Sequence, residues 1–360
     1  MPAYRPTASS IWNSFLSSGK RHLILTGGRG IGKSTRIDLL RAGMPGILTH
    51  AVPKTGVYME ESPGGSIVRI GVFDPALPGP ENRMRILNGA FEEQAVPMVR
   101  KLTEGTGEWV FVDEVGYLES GSTAYMNSLR ALFDRKRVIA AVRKQDTPFL
   151  LELRERPDAF CVDLDQPFGN TGCVIMASGQ SKRFGGNKLL ADFHSQPMIM
   201  RILSATDGIF THRVVVTRHA EIAAMCRERG IGFILHDLPY RSDTVRLGME
   251  ATGDADGCMF CPADQPLLRQ ETIASLALSA MDDRTSIWRP CVGETPGSPV
   301  LFPRWAFEKL MKLPQGKGGG FIARMYPERV RTIPVRSEWE LMDADDRETL
   351  ELLLNIDSEP

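Results

Sequence analysis

The sequence predicts an α/β protein of two domains in tandem, each carrying a mostly parallel sheet. Three observations predict it. Short apolar runs alternate with amphipathic stretches throughout the 360 residues, as in repeated β-α units. A glycine-rich loop follows an apolar run in each half, at Leu25–Ile37 ("LTGGRGIGKSTRI") and at Ile175–Leu190 ("IMASGQSKRFGGNKLL"). Between them "DLDQPFGNTG", Asp163–Gly172, gathers turn formers between two strand-like runs and divides the chain into 1–166 and 171–360.

In the first half the expected strands are "HLILTG", "GSIVRIGVF", "WVFVDE", "RVIAAV" and "AFCVDL". The segments "STRIDLLRAG", "AYMNSLRALFDRK" and "DTPFLLELRERP" read as helices. "PALPGPEN", Pro75–Asn82, is a Pro/Gly-rich surface loop with no legible role. In the second half the strands are "GCVIMAS", "RVVVTR", "GFILHD", "GCMFCPAD", "TSIWRPCV" and "SPVLF", with helices such as "AEIAAMCRERG" between them. Cys258 and Cys261 fall inside one of these apolar runs and read as buried core thiols.

With 42% hydrophobic and 24% charged residues, the chain is an ordinary globular protein able to build a core in each half. A formal net charge of −1 supplies no global field for nucleic acid or an anionic membrane, which favours a small-molecule ligand. No apolar run approaches the roughly 20 residues that span a bilayer, and the first residues lack a signal-peptide core, so a cytoplasmic protein is expected. Six cysteines are too few for a disulfide scaffold. The scattered histidines have no zinc-ligand spacing.

The first loop fits Gly-x4-Gly-Lys-Ser as Gly27, Gly32, Lys33 and Ser34. Gly27, Gly28, Gly30 and Gly32 let the backbone wrap a phosphate chain with its N–H groups inward, and Thr35 opens the helix whose dipole adds positive potential. Lys33 would reach the β and γ phosphates of ATP or GTP, and Ser34 would hold Mg²⁺. In "EWVFVDEVGYLES" four apolar residues run into Asp113, a second Mg²⁺-side carboxylate, and Glu114, the base for an attacking water. Arg143, just past "VIAAV", is read as a solvated arginine, with γ-phosphate neutralisation as the alternative.

The second loop is of another design. Ala177, Ser178 and Gly179 are small residues at a strand end, where a base and ribose can lie against the backbone. Arg183 and Lys188 supply two cations for a triphosphate laid along the loop. Attack of a terminal phosphate on the α-phosphorus of an NTP develops negative charge on oxygens, so such a site needs cations rather than a protein nucleophile. Asp264, after "CMFC", would bind Mg²⁺; capping the helix that follows is its plainer role. Lys188 would stabilise the α-phosphate and Arg183 the leaving groups.

"LTGGRGIGKST", "VDEVGYLES" and "KRVIAAVRK" together resemble the nucleoside-triphosphatase family of thermophiles that includes a human cancer-related homologue, over residues 20 to 166. The resemblance implies a P-loop NTPase domain that hydrolyses NTPs slowly with broad base preference. "MASGQSKRFGGNKLL", "RSDTVRLGM" placed before a helix, "FCPADQPLL" and "GSPVLFPRWAFEKLMKLPQGKGGGFI" resemble, in order, the nucleotidyltransferases that activate molybdopterin, over residues 171 to 350. This implies a Rossmann-like nucleotidyltransferase domain. Asp264-Gln265-Pro266 and Asn187-Lys188-Leu189-Leu190 are similar to the molybdenum cofactor cytidylyltransferase branch, which uses CTP. Asp343, Asp345 and Asp346 echo the family's closing acidic segment, expected mostly to shape a terminal helix.

The implied acceptor is molybdopterin or a similar small phosphorylated molecule, and a molybdoenzyme apoprotein is an implied partner. A guanylyltransferase of the same pathway, a sugar-phosphate nucleotidyltransferase, and a P-loop domain acting as a nucleotide-dependent docking switch stay open as alternatives.

Overall fold

The computed structural model describes residues 4–77, 83–181 and 183–357. Residues 78–82 of the expected Pro75–Asn82 loop lie outside them. The chain opens with α1 (Ala8–Ser18) and then lays down β1 (His22–Thr26), β2 (Gly46–Val52), β3 (Gly56–Ser62), β4 (Ile67–Phe73), β5 (Met84–Ile86), β6 (Trp109–Val115), β7 (Arg137–Val142) and β8 (Ala159–Asp163). These form one sheet in the order β5-β4-β3-β2-β6-β7-β1-β8. Helices α2 (Lys33–Leu40), α3 (Val96–Glu104), α4 (Thr123–Arg135) and α5 (Pro148–Arg154) intervene.

Pairing is parallel from β2 through β6, β7 and β1 to β8, and antiparallel from β2 outward to β5. Strands buried on both faces are mostly apolar, and β1 and β7 carry the apolar runs Leu23–Leu25 and Val138–Val142. The hairpin β2-β3 escapes the sequence reading because "GILTHAV" and "GVYMEES" are only partly buried and interleave polar residues. Strand β7 lies between β1 and β6, with Leu25 beside Ala141 and Ala141 beside Asp113. The loop after β1, the acidic end of β6 and Arg143 after β7 therefore leave the sheet at one edge.

The second sheet contains β9 (Thr171–Ala177), β10 (His212–Thr217), β11 (Gly232–Leu235), β12 (Gly257–Pro262), β13 (Ile287–Val292), β14 (Thr295–Pro296), β15 (Val300–Pro303) and β16 (Val330–Pro334). Its order is β11-β10-β9-β12-β15-β13-β14, with β16 beside β13. The first four are parallel, and β15 reverses direction. Helices α6 (Ile199–Ala205), α7 (Ala220–Glu228), α8 (Arg241–Ala251) and α9 (Gln270–Asp282) connect or flank them. "RSDTVRLGM" does not precede a helix as expected but is α8 itself, started where Asp243 accepts a hydrogen bond from the Tyr240 amide at 2.9 Å. Cys258 and Cys261 are buried on β12, and burial pushes the Cys258 thiol up to about 12.

Two compact units result: Gly19–Pro167, and Phe168–Pro360 together with Met1–Ser18. The expected 1–166 division is thereby corrected at its start. Helix α1 packs on α9 of the second unit, burying Ile11 and Phe15. Ser14 Oγ donates to the Ser275 carbonyl at 2.8 Å, and Ser275 Oγ donates back to the Ser10 carbonyl at 3.2 Å. Small serines at this contact let the helices approach closely. Phe15→Ala is expected to destabilise the second unit by about 3–5 kcal/mol. In hydrogen exchange the amides of α9 should then lose protection while those of α4 keep theirs.

The first unit carries its own pH sensitivity. His22 is fully buried; its Nδ1 accepts from the Val138 amide at 3.2 Å, and its Nε2 lies 3.3 Å from Asp158. Burial outweighs the opposing Asp158 charge and pushes the imidazole down from 6.5 to about 4. Between those values the unfolded chain binds the extra proton, so stability is lost as pH falls through that window, by about 3 kcal/mol in full. Melting followed from pH 7 to pH 4 should show this loss, and His22→Gln should flatten that part of the profile.

Candidate active sites

At the first sheet edge the loop after β1 wraps a cavity of about 350 Å³ lined by Gly27, Gly28, Gly30, Gly32, Lys33, Ser34 and Thr35. Gly27 and Gly32 have φ of 136° and 95°, values that only glycine adopts without strain. Helix α2 begins at Lys33, so its first amides point at the loop. Lys33 is buried, with Nζ donating to the carbonyls of Gly27 and Gly28 at 3.0 Å each and lying 3.2 Å from Glu114. Ser34 Oγ donates to Asp113 Oδ1 at 3.1 Å, so the two residues expected to share a cation are neighbours. Burial, partly offset by that bond, raises Asp113 to about 6. A cation beside it would relieve this cost.

Glu114 stands between two cations, Lys33 and Arg143, whose Nε donates to Glu114 Oε2 at 2.8 Å. Arg143 is therefore a partner in the site rather than the solvated arginine expected, because β7 delivers it between the loop and β6. Burial opposes its charge, yet Glu114 holds its pKa above the usual value. Sequence reasoning passed over Asp165, whose carboxylate accepts from the Gly28 amide at 3.0 and 3.1 Å and from Lys144 at 3.2 Å. An anion already bound to a loop amide has no motif signature. Its place in a turn after β8 becomes visible only through the pairing of β8 with β1.

In the second unit Ala177 ends β9, and the register sets Pro262 of β12 beside Met176. Two residues further along each strand come Ser178 and Asp264, at one level of the sheet edge. Lys188, buried, reaches from its short 3-10 turn to Asp264 Oδ2 at 2.6 Å and Asp345 Oδ1 at 3.0 Å. Arg183, largely exposed, meets Asp345 Oδ2 at 2.6 Å. Burial works against the Lys188 charge, but Asp264 and Asp345 hold its pKa above the ordinary range.

Asp264 does not cap the following helix, since α9 begins only at Gln270 after an Arg269 N-cap. Of the closing acidic residues only Asp346 behaves as a cap, accepting from the Thr349 amide at 2.9 Å. Asp345 instead joins the cation cluster, and Asp343 accepts from Gln265 Nε2 at 3.0 Å. Burial, with Asp264 and Asp345 nearby, pushes Asp343 upward.

Ser178 Oγ donates to the Val216 carbonyl at 3.0 Å and lies 2.8 Å from His236 Nε2. A hydroxyl has one proton, so His236 must donate from Nε2, leaving Nδ1 as an acceptor that finds no partner among the described residues. Burial lowers the His236 pKa, in keeping with a neutral ring. Gly179 is open, its carbonyl 2.9 Å from His219 Nε2.

Among the described residues no three His, Cys, Asp or Glu side chains form a complete metal cage. Mg²⁺ bound with nucleotide takes only one or two protein carboxylates and completes its shell with phosphates and water. The Ser34–Asp113 pair and Asp264 suit that mode. No helix among the described residues is long and apolar enough to cross a membrane.

Two family models match parts of the chain. Residues 173–330 match the MobA-like NTP transferase domain model, and residues 80–167 match the NTPase model, a stretch that includes Asp113, Glu114 and Arg143 but begins after the Gly27–Ser34 loop. No curated protein matches the sequence. Among solved structures, Rv0371c of Mycobacterium tuberculosis H37Rv is 22% identical, covering 52% of this chain and 98% of its own, with a TM-score of 0.46. Molybdopterin-guanine dinucleotide biosynthesis protein A from Archaeoglobus fulgidus is 15% identical, covering 52% and 98%, with a TM-score of 0.43. THEP1 from Aquifex aeolicus is 22% identical, covering 40% and 89%, with a TM-score of 0.33. By its two family matches the chain joins an NTPase domain to a MobA-like NTP transferase domain, and is an enzyme of the nucleotidyltransferase type.

Proposed function

We propose that the second unit transfers CMP from CTP to the terminal phosphate of molybdopterin or a similar small phosphorylated acceptor, and that the first unit hydrolyses ATP or GTP. The observation that carries the transfer reading is the cluster of Lys188, Asp264 and Asp345 at the ends of β9 and β12. A phosphate oxygen of the acceptor attacks the α-phosphorus as the bond to pyrophosphate breaks. Lys188 stabilises the charge growing on the α-phosphate, and Arg183 steadies the leaving group. Neither step requires a protein base.

In the first unit Gly27, Gly28, Gly30, Gly32 and Thr35 cradle the phosphates while Lys33 exchanges its carbonyl partners for β and γ oxygens. Glu114 orients and deprotonates the attacking water. Mg²⁺, held by Ser34 and Asp113 in one unit and by Asp264 in the other, would supply charge neutralisation. Ala177, Ser178 and Gly179 receive the base and ribose in the second unit. The MobA-like match supports a phosphorylated small-molecule acceptor, and a molybdoenzyme apoprotein is the corresponding partner.

Because each reaction has its own loop and carboxylate, Lys33→Ala should lower NTP hydrolysis about 100-fold or more and leave nucleotidyl transfer intact. Asp264→Asn should do the reverse. Parallel assays of pyrophosphate release and inorganic phosphate release decide it: loss of both activities in either folded variant defeats the two-site reading.

Base choice gives a second test. The Ser178–His236 pair offers a fixed polar edge at the end of β9, and a site that pairs polar groups rejects mismatched ligands strongly. CTP should exceed GTP by at least about tenfold in kcat/KM, about 1.4 kcal/mol of differential transition-state binding. Ser178→Gly removes the hydroxyl and frees His236, and should relax the preference. Equal use of GTP by the unmodified protein would assign it to guanylyl transfer.

A further inference from the structure

A second cavity, of about 400 Å³, opens in the first unit on the far side of Glu114 and Arg143. Those two residues and Arg29 line both this cavity and the phosphate-loop cavity, so the two share a wall. Lys33 serves the β and γ phosphates of a P-loop nucleotide, and Glu114 lies 3.2 Å from its Nζ. Glu114, within reach of that lysine, therefore forms part of the wall between the second cavity and the phosphate loop.

Its lining is amphipathic. Val57, Phe73, Met84 and Leu118 supply an apolar wall from β3, β4, β5 and the turn after β6. The wall is braced by Tyr117, whose hydroxyl donates to the Met84 carbonyl at 3.2 Å. Arg29, Lys54, Arg83 and Arg143 add four cations, against the carboxylates of Glu114 and Glu119. Glu114 is already held between Lys33 and Arg143. Glu119 is buried and accepts from the Gly116 amide at 2.9 Å; burial raises it to about 7, so much of its charge is absent near neutrality. Positive charge is thus in excess at a mouth whose floor is apolar. A water-filled passage for hydrolysis needs no such wall.

We propose that this cavity is a binding site for a small molecule with a flat apolar body and one anionic group, whose occupant stands beside the γ-phosphate in place of the attacking water. The body lies against Phe73 and Val57, and the anion meets Lys54 at the mouth. Hydrolysis is then gated by occupancy: an empty cavity admits water to Glu114, and a filled one excludes it. This inference rests on the hydrolytic reading of the first unit for its consequence, but the site itself does not.

The test uses the full-length protein and naphthalene-1-sulfonate as probe. Calorimetric titration should show saturable one-to-one binding that Lys54→Glu and Ala51→Trp, both at exposed positions in or beside the β2-β3 hairpin, weaken at least tenfold. At saturation the probe should reduce kcat for NTP hydrolysis at least fivefold without raising KM for the nucleotide, and Ala51→Trp should escape this inhibition. Absence of saturable binding overturns the site, as does binding that both variants leave unchanged. A raised KM also overturns it, because the probe would then occupy the phosphate cavity. If the unmodified protein hydrolyses no NTP, the hydrolytic reading fails by itself, and the titration still decides whether the site exists.

Discussion

Parallel pairing is the constraint on which both sites depend. Parallel strands end together, so residues that follow adjacent strands meet at one edge however far apart they lie in sequence. Asp113 is level with Ala141, and Ala141 with Leu25, which is how a glycine loop, two carboxylates and Arg143 become neighbours. The same logic in the second unit sets Pro262 beside Met176, so that Asp264 faces the loop that begins at Ser178. A register slip of one residue in β6 would turn Asp113 and Glu114 each to the opposite face of the sheet.

The two edges answer the electrostatic demands of a triphosphate differently. In the first unit the lysine is held by backbone carbonyls and Glu114, with dipoles and one carboxylate standing where phosphate oxygens would go. In the second the lysine is held by two carboxylates, a fuller counter-charge that a phosphate must displace or share through a cation. Ion pairs of this partly buried kind contribute little net stability, because desolvating both partners offsets much of their attraction. Their value lies in keeping the cation in place and extended toward the loop.

Much of this was legible in the sequence where local chemistry dictates the answer. The glycines of the first loop, Lys33, Ser34 and Asp113 follow from phosphate geometry, and the structure brings them together. The role of Arg143 depends on strand order, which places β7 between β1 and β6 and which no window of residues encodes. Asp345 and Asp346 look alike in the sequence, yet only Asp346 caps the terminal helix, and one position of offset sends the preceding carboxylate to Lys188. His236 reads in the sequence only as one of the scattered histidines, since its partner Ser178 lies 58 positions away, and the two meet because each directly follows the end of its strand, β11 and β9.

Helix α1 is made long before the helix it packs on. A ribosome releases Ile11 and Phe15 long before residues 270–282 exist to cover them, and the whole of Gly19–Pro167 is synthesised in the interval. The first unit can close its sheet during translation, while the apolar face of α1 waits in water for α9. Docking of α1 on α9 is thus a contact between segments some 260 positions apart, closed only after the first unit has been made.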